Sequence, residues 1–465
     1  MHIPHLPQEI LEEILKCLGT DFKSLYACST VSRRFREPSQ RQLFSRLYFG
    51  DRLGLIDDYC DEKIATHLAL HALSYSHRLC GYVRHVELAI SCEAIAYLFF
   101  CKVMPFLSRV ETLDLRGCSM TKIQTYPGVY RTTLPRVRRL YLTAFHNLSV
   151  TFLHQFPNLE FLDLDHVSFC GPLSSPETLV DGVERPRPAP VVVSLKPNLG
   201  SPPYFNHFME LVLFKDPSYG LDISKITVLV VDILQEGYQD YAQPEENLQT
   251  FELFHRLLAE CAPNLEVLQI ALNLQIAEFT RLLDEKPIDF QRLEDFRLVL
   301  PTRRRRSVHE LELETVFHSL VRWIKRISAT AALKRMRIHF DLVGRPREGE
   351  VIERLPIMEA LEDLTGYWSK LETMPLISCG ISYNNYMEDH RETRPGCPNG
   401  NLPLSDVKAL HKRLDGLIRT KRFQILGARL PPLRKAYHYD DNYYPSGFRV
   451  GVNAWPATFA PIKLE

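Results

Sequence analysis

Two hydrophobic rhythms divide this chain, and each predicts a different kind of element. In the first, Ile10, Leu11, Ile14, Leu15, Cys17 and Leu18 recur at three- and four-residue steps, with Gln8, Glu9, Glu12, Glu13 and Lys16 between them. At roughly 100° per residue the apolar set covers an arc of about 160°, which predicts an amphipathic helix. Pro7 suits the first position, where a missing N–H costs nothing, and Gly19 can adopt the left-handed conformation that stops the helix. Asp21 is placed to cap a second helix carrying Phe22, Leu25, Tyr26 and Cys28. A third runs through Val31–Phe35 until Pro38, after which Gln40 to Phe49 presents Leu43, Phe44, Leu47 and Tyr48 as a further helical stretch. So few short helices, in about 45 residues, lie near the lower size limit for independent folding, and the spare apolar arc is expected to meet something else.

The second rhythm has the form apolar-x-x-apolar-x-apolar, whose last three positions alternate as a strand requires. It starts after a helical connector, Lys63 to Cys80, with Ile64, Leu68, His71 and Leu73 at roughly helical intervals. The copies are Val83-x-x-Val86-x-Leu88, Val110-x-x-Leu113-x-Leu115, Val137-x-x-Leu140-x-Leu142, Leu159-x-x-Leu162-x-Leu164, Ile226-x-x-Leu229-x-Val231, Leu265-x-x-Leu268-x-Ile270, Leu293-x-x-Phe296-x-Leu298, Leu333-x-x-Met336-x-Ile338 and Leu371-x-x-Met374-x-Leu376. The first four start 22 to 27 residues apart, inside the period of leucine-rich repeats. Cys118 and Cys379 occupy the position of the fuller repeat that serves the turn after the strand, with Asn273 in the same seat of another copy, so these cysteines read as structural. Helices with one apolar face are expected between the strands, at Cys92 to Leu107, Leu248 to Cys261, Val308 to Ile327 and Val351 to Leu371. Two stretches break the rhythm: Gly171 to Pro203, dense in proline, and Gly380 to Pro403 both read as loops.

The expected fold is α/β: an N-terminal trihelical segment, then an irregular leucine-rich-repeat solenoid with parallel strands on the concave face and helices outside. Residues 1–50 hold the helices, 51–82 the connector, and 83–403 the array with insertions at 171–203 and 380–403. Residues 404–465 hold a helix from Leu404 to about Ile425 and an aromatic-rich cap with Tyr437, Tyr439, Tyr443, Tyr444, Phe448 and Trp455.

Composition narrows the function classes. Apolar residues make up 45% and charged residues 24% of the 465, and basic and acidic side chains balance to a net charge of zero. No global field draws the chain to nucleic acid or to an anionic membrane. No leading basic-then-apolar segment predicts secretion, and no apolar run has membrane-span length. Eleven scattered cysteines without a Cys-x-x-Cys pair argue for a reducing compartment, cytosolic or nuclear.

The N-terminal residues carry a specific resemblance. Leu6-Pro7-x-Glu9-Ile10-Leu11-x-x-Ile14-Leu15-x-x-Leu18, followed by Leu25-Tyr26-Ala27-Cys28-Ser29-Thr30-Val31-Ser32-Arg33-Arg34-Phe35 and by Leu43-Phe44, closely resembles the F-box. One departure is Phe35, where many members place Trp. The resemblance implies that this segment docks on the adaptor subunit of an SCF-type, cullin-RING ubiquitin ligase, and that the remainder recruits an unnamed target protein. Leu6, Pro7, Ile10, Leu11, Ile14, Leu18, Leu25, Val31 and Phe35 would form or support the adaptor interface. The repeats behind it resemble the leucine-rich half of F-box proteins, in a degenerate form like that of many fungal members.

Target capture is expected on strand positions that alternate with the buried ones, since equivalent positions on neighbouring strands stack into columns. The central column reads Glu87, Asp114, Tyr141, Asp163, Val230, Gln269, Arg297, Arg337 and Pro375, acidic in its first half and basic in its second. Flanking columns add His85, Arg139, Phe161 and Arg335 on one side, and Arg116, Asp165, Asp232 and His339 on the other. Aromatics beside charges of both signs suit protein capture better than catalysis. No nucleophile elbow, phosphate loop, dinucleotide fingerprint or His-Glu-x-x-His occurs, so no enzyme and no cofactor are expected. His67, His71 and His77 lack a neighbouring carboxylate or thiol at ligand spacing, and no metal is expected. Two alternatives accompany the ligase-receptor reading: a scaffold that binds the adaptor, or another helical partner, without directing ubiquitylation, and an enzyme on a repeat-like body.

Overall fold

The computed structural model describes residues 7–19, 21–49, 59–90, 92–119, 132–170, 187–196, 209, 221–233, 244–272, 282–283, 285–303, 310–330, 332–343, 356–371, 374–384, 423–428 and 459–461. The chain divides into two units, Met1–Pro190 with His207–Asp222, and Val191–Asn206 with Ile223–Glu465.

The first unit begins with α1 (Gln8–Cys17), α2 (Phe22–Val31) and α3 (Arg33–Leu43). Gly19, at φ +55°, ends the first. Asp21 caps the second, accepting from the Ser24 N–H at 3.1 Å and its hydroxyl at 2.6 Å. These bonds hold the Asp21 carboxyl below the usual carboxylate range. An extended Ser32 separates α2 from α3. The third helix does not stop at Pro38 as expected: the proline and Ser39 are buried. Packing of α3 on α1 and α2 offsets the backbone bond the ring removes.

The expected helical stretch through Phe49 is corrected more sharply. Arg46–Phe49 is strand β1, with Leu47 buried and its neighbours more open, as the period-2 rhythm of this short aromatic run permits. It pairs in parallel with β2 (His85–Ala89), Arg46 opposite His85 and Phe49 opposite Leu88. Between them lie α4 (Tyr59–Ser74) and α5 (His77–Cys80), where the connector was expected.

The parallel order continues β1-β2-β3-β4-β6, with β3 Thr112–Ser119, β4 Arg139–His146 and β6 Phe161–Asp165. A small pair, β5 (Leu148–Ser149) and β7 (Phe169–Cys170), stands beside it. One geometry recurs. Two successive N–H groups entering each strand share one carbonyl of the strand before: Arg84 and His85 on Ser45, Glu111 and Thr112 on Arg84, Arg138 and Arg139 on Glu111, Glu160 and Phe161 on Arg138. Past the fifth residue three successive strands turn through a left-handed residue, Gly117, Ala144 and His166. Val86, Leu88, Leu113, Leu115, Leu140, Leu142, Leu162 and Leu164 are buried in the core of this sheet. The expected helix Cys92 to Leu107 is an α-helical turn that opens into a π-helical stretch, Leu98–Val103. There Phe100 meets Phe99 and Phe152 edge to face at 5.3 and 5.9 Å.

The second unit repeats the geometry. β8 (Val192–Lys196) lies inside the proline-dense stretch expected as a loop, and its Val-Val-Ser-Leu alternation pairs with β9 (Val228–Ile233). Then follow β10 (Val267–Leu272), β11 (Asp295–Arg303), β12 (Arg335–Val343), β13 (Leu376–Asn384) and β14 (Phe423–Ala428), all parallel, with β15 (Phe459–Pro461) antiparallel to β14. β14 corrects the helix expected to reach Ile425, and Gly380–Asn384 is strand where the second loop was expected to begin. The helices Pro244–Cys261, Glu310–Ser328 and Pro356–Trp368 overlap the stretches expected to be helical, the first starting four residues earlier and the second ending one residue later. Trp368 is buried and donates to the Ser328 hydroxyl at 2.9 Å.

Eight of the nine strand copies sit where the pattern places them. The ninth is shifted by three residues: Arg335 stands opposite Leu376 and Ile338 opposite Cys379, so the copy reads Met374-x-x-Ile377-x-Cys379, all three buried. Pro375 then occupies the first donor position, and only the Leu376 N–H reaches the Lys334 carbonyl. Cys379 is thereby a core strand residue, its thiol pushed up to about 12 by burial. Cys118 likewise remains within its strand, opposite Phe145.

Burial also makes one histidine a stability determinant. His339, on β12, is pushed from 6.5 down to about 4 by desolvation. Below 6.5 the unfolded chain takes up a proton that the folded chain refuses. Its contribution is therefore intact above that pH and falls as pH drops towards 4, on the order of 1 kcal/mol per unit. Thermal melts across this range are expected to show a declining midpoint that is flatter in His339→Gln. An identical slope in the variant would assign the decline to other groups.

Candidate functional site

The helical unit divides its apolar residues between two tasks. Leu11, Leu15 and Leu25 are buried in its own core. Ile10 and Ile14, one turn apart on α1, stay 46% and 48% exposed. Val31 and Pro7 are exposed, Leu18 and Phe35 half-buried, and Leu6 lies outside the described residues. Two further apolar side chains, Phe22 and Tyr26, are exposed one turn apart on α2. With buried Leu25 and Ser29 they stand at i, i+3, i+4 and i+7, so all four share one side of α2 and periodicity alone does not separate the open pair from the buried one.

This face is fixed to the sheet behind it. Glu37 on α3 accepts from Arg41 at 2.8 Å and from the Tyr82 hydroxyl at 3.4 Å, with Arg78 at 3.9 Å. Arg41 above all, and Arg78, hold its carboxyl below the usual range. Each exposed pair contributes little alone; with β1 registered on β2, they give the helices one orientation on the strand array of their unit.

On the first unit's sheet, Glu87, Asp114, Tyr141 and Asp163 stand in adjacent register and form the expected central column. Arg116 donates to Glu87 and to both Asp114 oxygens, at 3.4 and 3.5 Å for the latter. Asp114 is buried, Asp163 half-buried. Tyr141 and Phe161 are tilted neighbours with centroids 5.0 Å apart, and Arg139 is exposed beside them. His85 is half-buried; desolvation first, and Arg46 after it, push its imidazole below the ordinary range, so it is neutral at pH 7.

On the second unit's sheet the column reads Ser194, Val230, Gln269, Arg297, Arg337 and Ser378. Ser378 replaces Pro375 because of the three-residue shift. Arg297 is buried and Arg337 half-buried, correcting the expectation of solvent-facing guanidinium groups. The residue that gathers them is Asp295. It is fully buried, accepts from Arg297 at 3.0 Å, and has Arg335 at 3.4 Å and Arg337 at 3.7 Å. The sequence signal was an Asp-x-Arg strand followed by an Arg-x-Arg strand in register, Asp295 opposite Arg335 and Arg297 opposite Arg337. Asp232 and His339 flank this column; the Asp232 side chain, Asn273 and Arg304–Arg306 lie outside what is described.

Among the described residues no three His, Cys, Asp or Glu side chains are placed to hold a metal ion, and no helix is long and apolar enough to cross a membrane. His67 and His71 stack at 6.3 Å, and His71 meets Tyr75 edge-on. A search of curated proteins finds none that matches the chain. The F-box-like family model matches residues 3–50, the stretch holding α1, α2, α3 and β1, so the helices with the divided apolar face belong to an F-box-like domain carried by this chain.

Proposed function

We propose that the chain is the substrate-recognition subunit of an SCF-type, cullin-RING ubiquitin ligase. The F-box-like helices bind the adaptor subunit, and a target protein is held on the strand faces that follow them in the chain, which we read as degenerate leucine-rich repeats. The observation that carries this is the row of Ile10 and Ile14 on a helix whose Leu11 and Leu15 are already committed to the core. Open apolar side chains on a unit this small serve a partner, and the F-box-like match supports an adaptor subunit as that partner. The recurring shared-carbonyl entry to each strand supports the repeat reading.

The protein itself is non-catalytic in this scheme. Its contribution is to hold the target near the ubiquitin-charged enzyme, which raises effective concentration. It works in the cytoplasm or the nucleus, without a cofactor. The competing scaffold role separates by one comparison: affinity purification with the proteasome inhibited, followed by mass spectrometry, from wild-type and deleted cells. Accumulation of a co-purified protein upon deletion supports the receptor; adaptor capture with no such protein supports the scaffold.

A further inference from the structure

We infer that the Asp295 cluster on the second unit's sheet is a binding site for an extended peptide whose anionic side chain is followed by an apolar one. This deepens the target-recognition reading above and rests on it.

Three guanidinium groups converge on one carboxylate, and they differ in exposure. Arg297 is closest to Asp295 and buried with it, whereas Arg335 keeps 52% of its side chain in solvent. Asp295 is the ion-pair partner of Arg335 at 3.4 Å, yet it stands nearer to Arg297 at 3.0 Å. The carboxylate therefore works from beneath as a positioning group: it gathers the three guanidinium groups and leaves that of Arg335 facing solvent. Such a preset fork suits a carboxylate or phosphate. Burial above all lowers the proton affinity of Arg337, with Asp295 opposing it and Arg297 and Arg335 adding to it.

One neighbouring observation selects a peptide. Leu376 lies opposite Arg335 in register and is 40% exposed, an apolar contact beside the cationic one. An apolar peptide side chain that follows an anionic one reaches Leu376 while its neighbour meets Arg335, and the sugar-phosphate backbone of a nucleic acid offers no such apolar group.

The test is fluorescence anisotropy on the full chain with labelled ten-residue peptides: one with an Asp/Glu-Leu core, one with phosphoserine in place of the acid, and a Lys-Leu control. Inorganic phosphate serves as competitor. Saturable binding of either anionic peptide, weakened about tenfold or more by Arg335→Glu and separately weakened by Leu376→Asp, supports the site. Preference for the phosphoserine peptide, with displacement by inorganic phosphate, identifies phosphate as the source of charge; preference for the acidic peptide identifies carboxylate. Equal binding to Arg335→Glu, equal binding of the lysine control, no saturable binding of either anionic peptide, or tighter binding of a single-stranded oligonucleotide overturns it. Arg335 and Leu376 are exposed, so both variants are expected to fold, as thermal melts confirm. Adaptor capture is measured on the same samples: its loss in the wild type sinks the ligase reading, while peptide binding decides the site by itself.

Discussion

Replacing Asp295 by alanine is expected to destabilise the protein by about 3–5 kcal/mol. The carboxylate is fully buried and meets three arginines; without it Arg297, itself buried, keeps a charge deprived of its nearest counter-ion. Removing one member of a buried pair costs far more than the pair contributes, because the surviving charge is left desolvated. Asp295→Asn keeps an acceptor oxygen and is expected to lose less. Urea unfolding followed by the fluorescence of Trp323 and Trp368, both buried in this unit, measures the difference. A loss below about 0.5 kcal/mol, the size of an ordinary surface change, would show that the cluster is solvated and that Asp295 holds nothing in place.

The second large effect is expected in the first unit. Ile10→Asp with Ile14→Asp should weaken adaptor binding about a thousandfold, since two central apolar contacts of about 2 kcal/mol each are replaced by charges. Both side chains are nearly half exposed, so the thermal midpoint should hold. Leu11→Asp is the contrasting change: Leu11 is buried, and the domain should unfold instead of merely losing its partner. Undiminished binding by the isoleucine double variant would move the interface to Phe22 and Tyr26, the exposed pair on α2.

How much of this was legible beforehand follows from what each pattern encodes. Strand copies such as Val137-x-x-Leu140-x-Leu142 were readable because their core positions are filled by side chains with no other preference than burial. The last copy misled by three residues because Leu371, Met374 and Leu376 satisfy the same template as Met374, Ile377 and Cys379; pairing with β12 decides between them, and pairing is not written in one strand. The helix α1 was legible as an apolar arc, but periodicity does not divide the arc between Leu11, which the domain keeps, and Ile10, which it leaves open. Asp295 escaped notice for a related reason. Its role comes from Arg335 and Arg337, forty or more residues onward, and exists only once β11 and β12 are in register. Strands β1, β8 and β14 were hidden by neighbours: a preceding helix, a run of prolines and an amphipathic stretch each outweighed four to six residues of alternation.

The most direct measurement is reconstitution of the full chain with purified adaptor and cullin, read by size-exclusion chromatography with light scattering. One assembly whose mass contains one copy of each is expected, formed by the wild type and not by the Ile10→Asp, Ile14→Asp double variant. A folded wild-type chain that elutes alone, beside an intact adaptor–cullin complex, would contradict the receptor role.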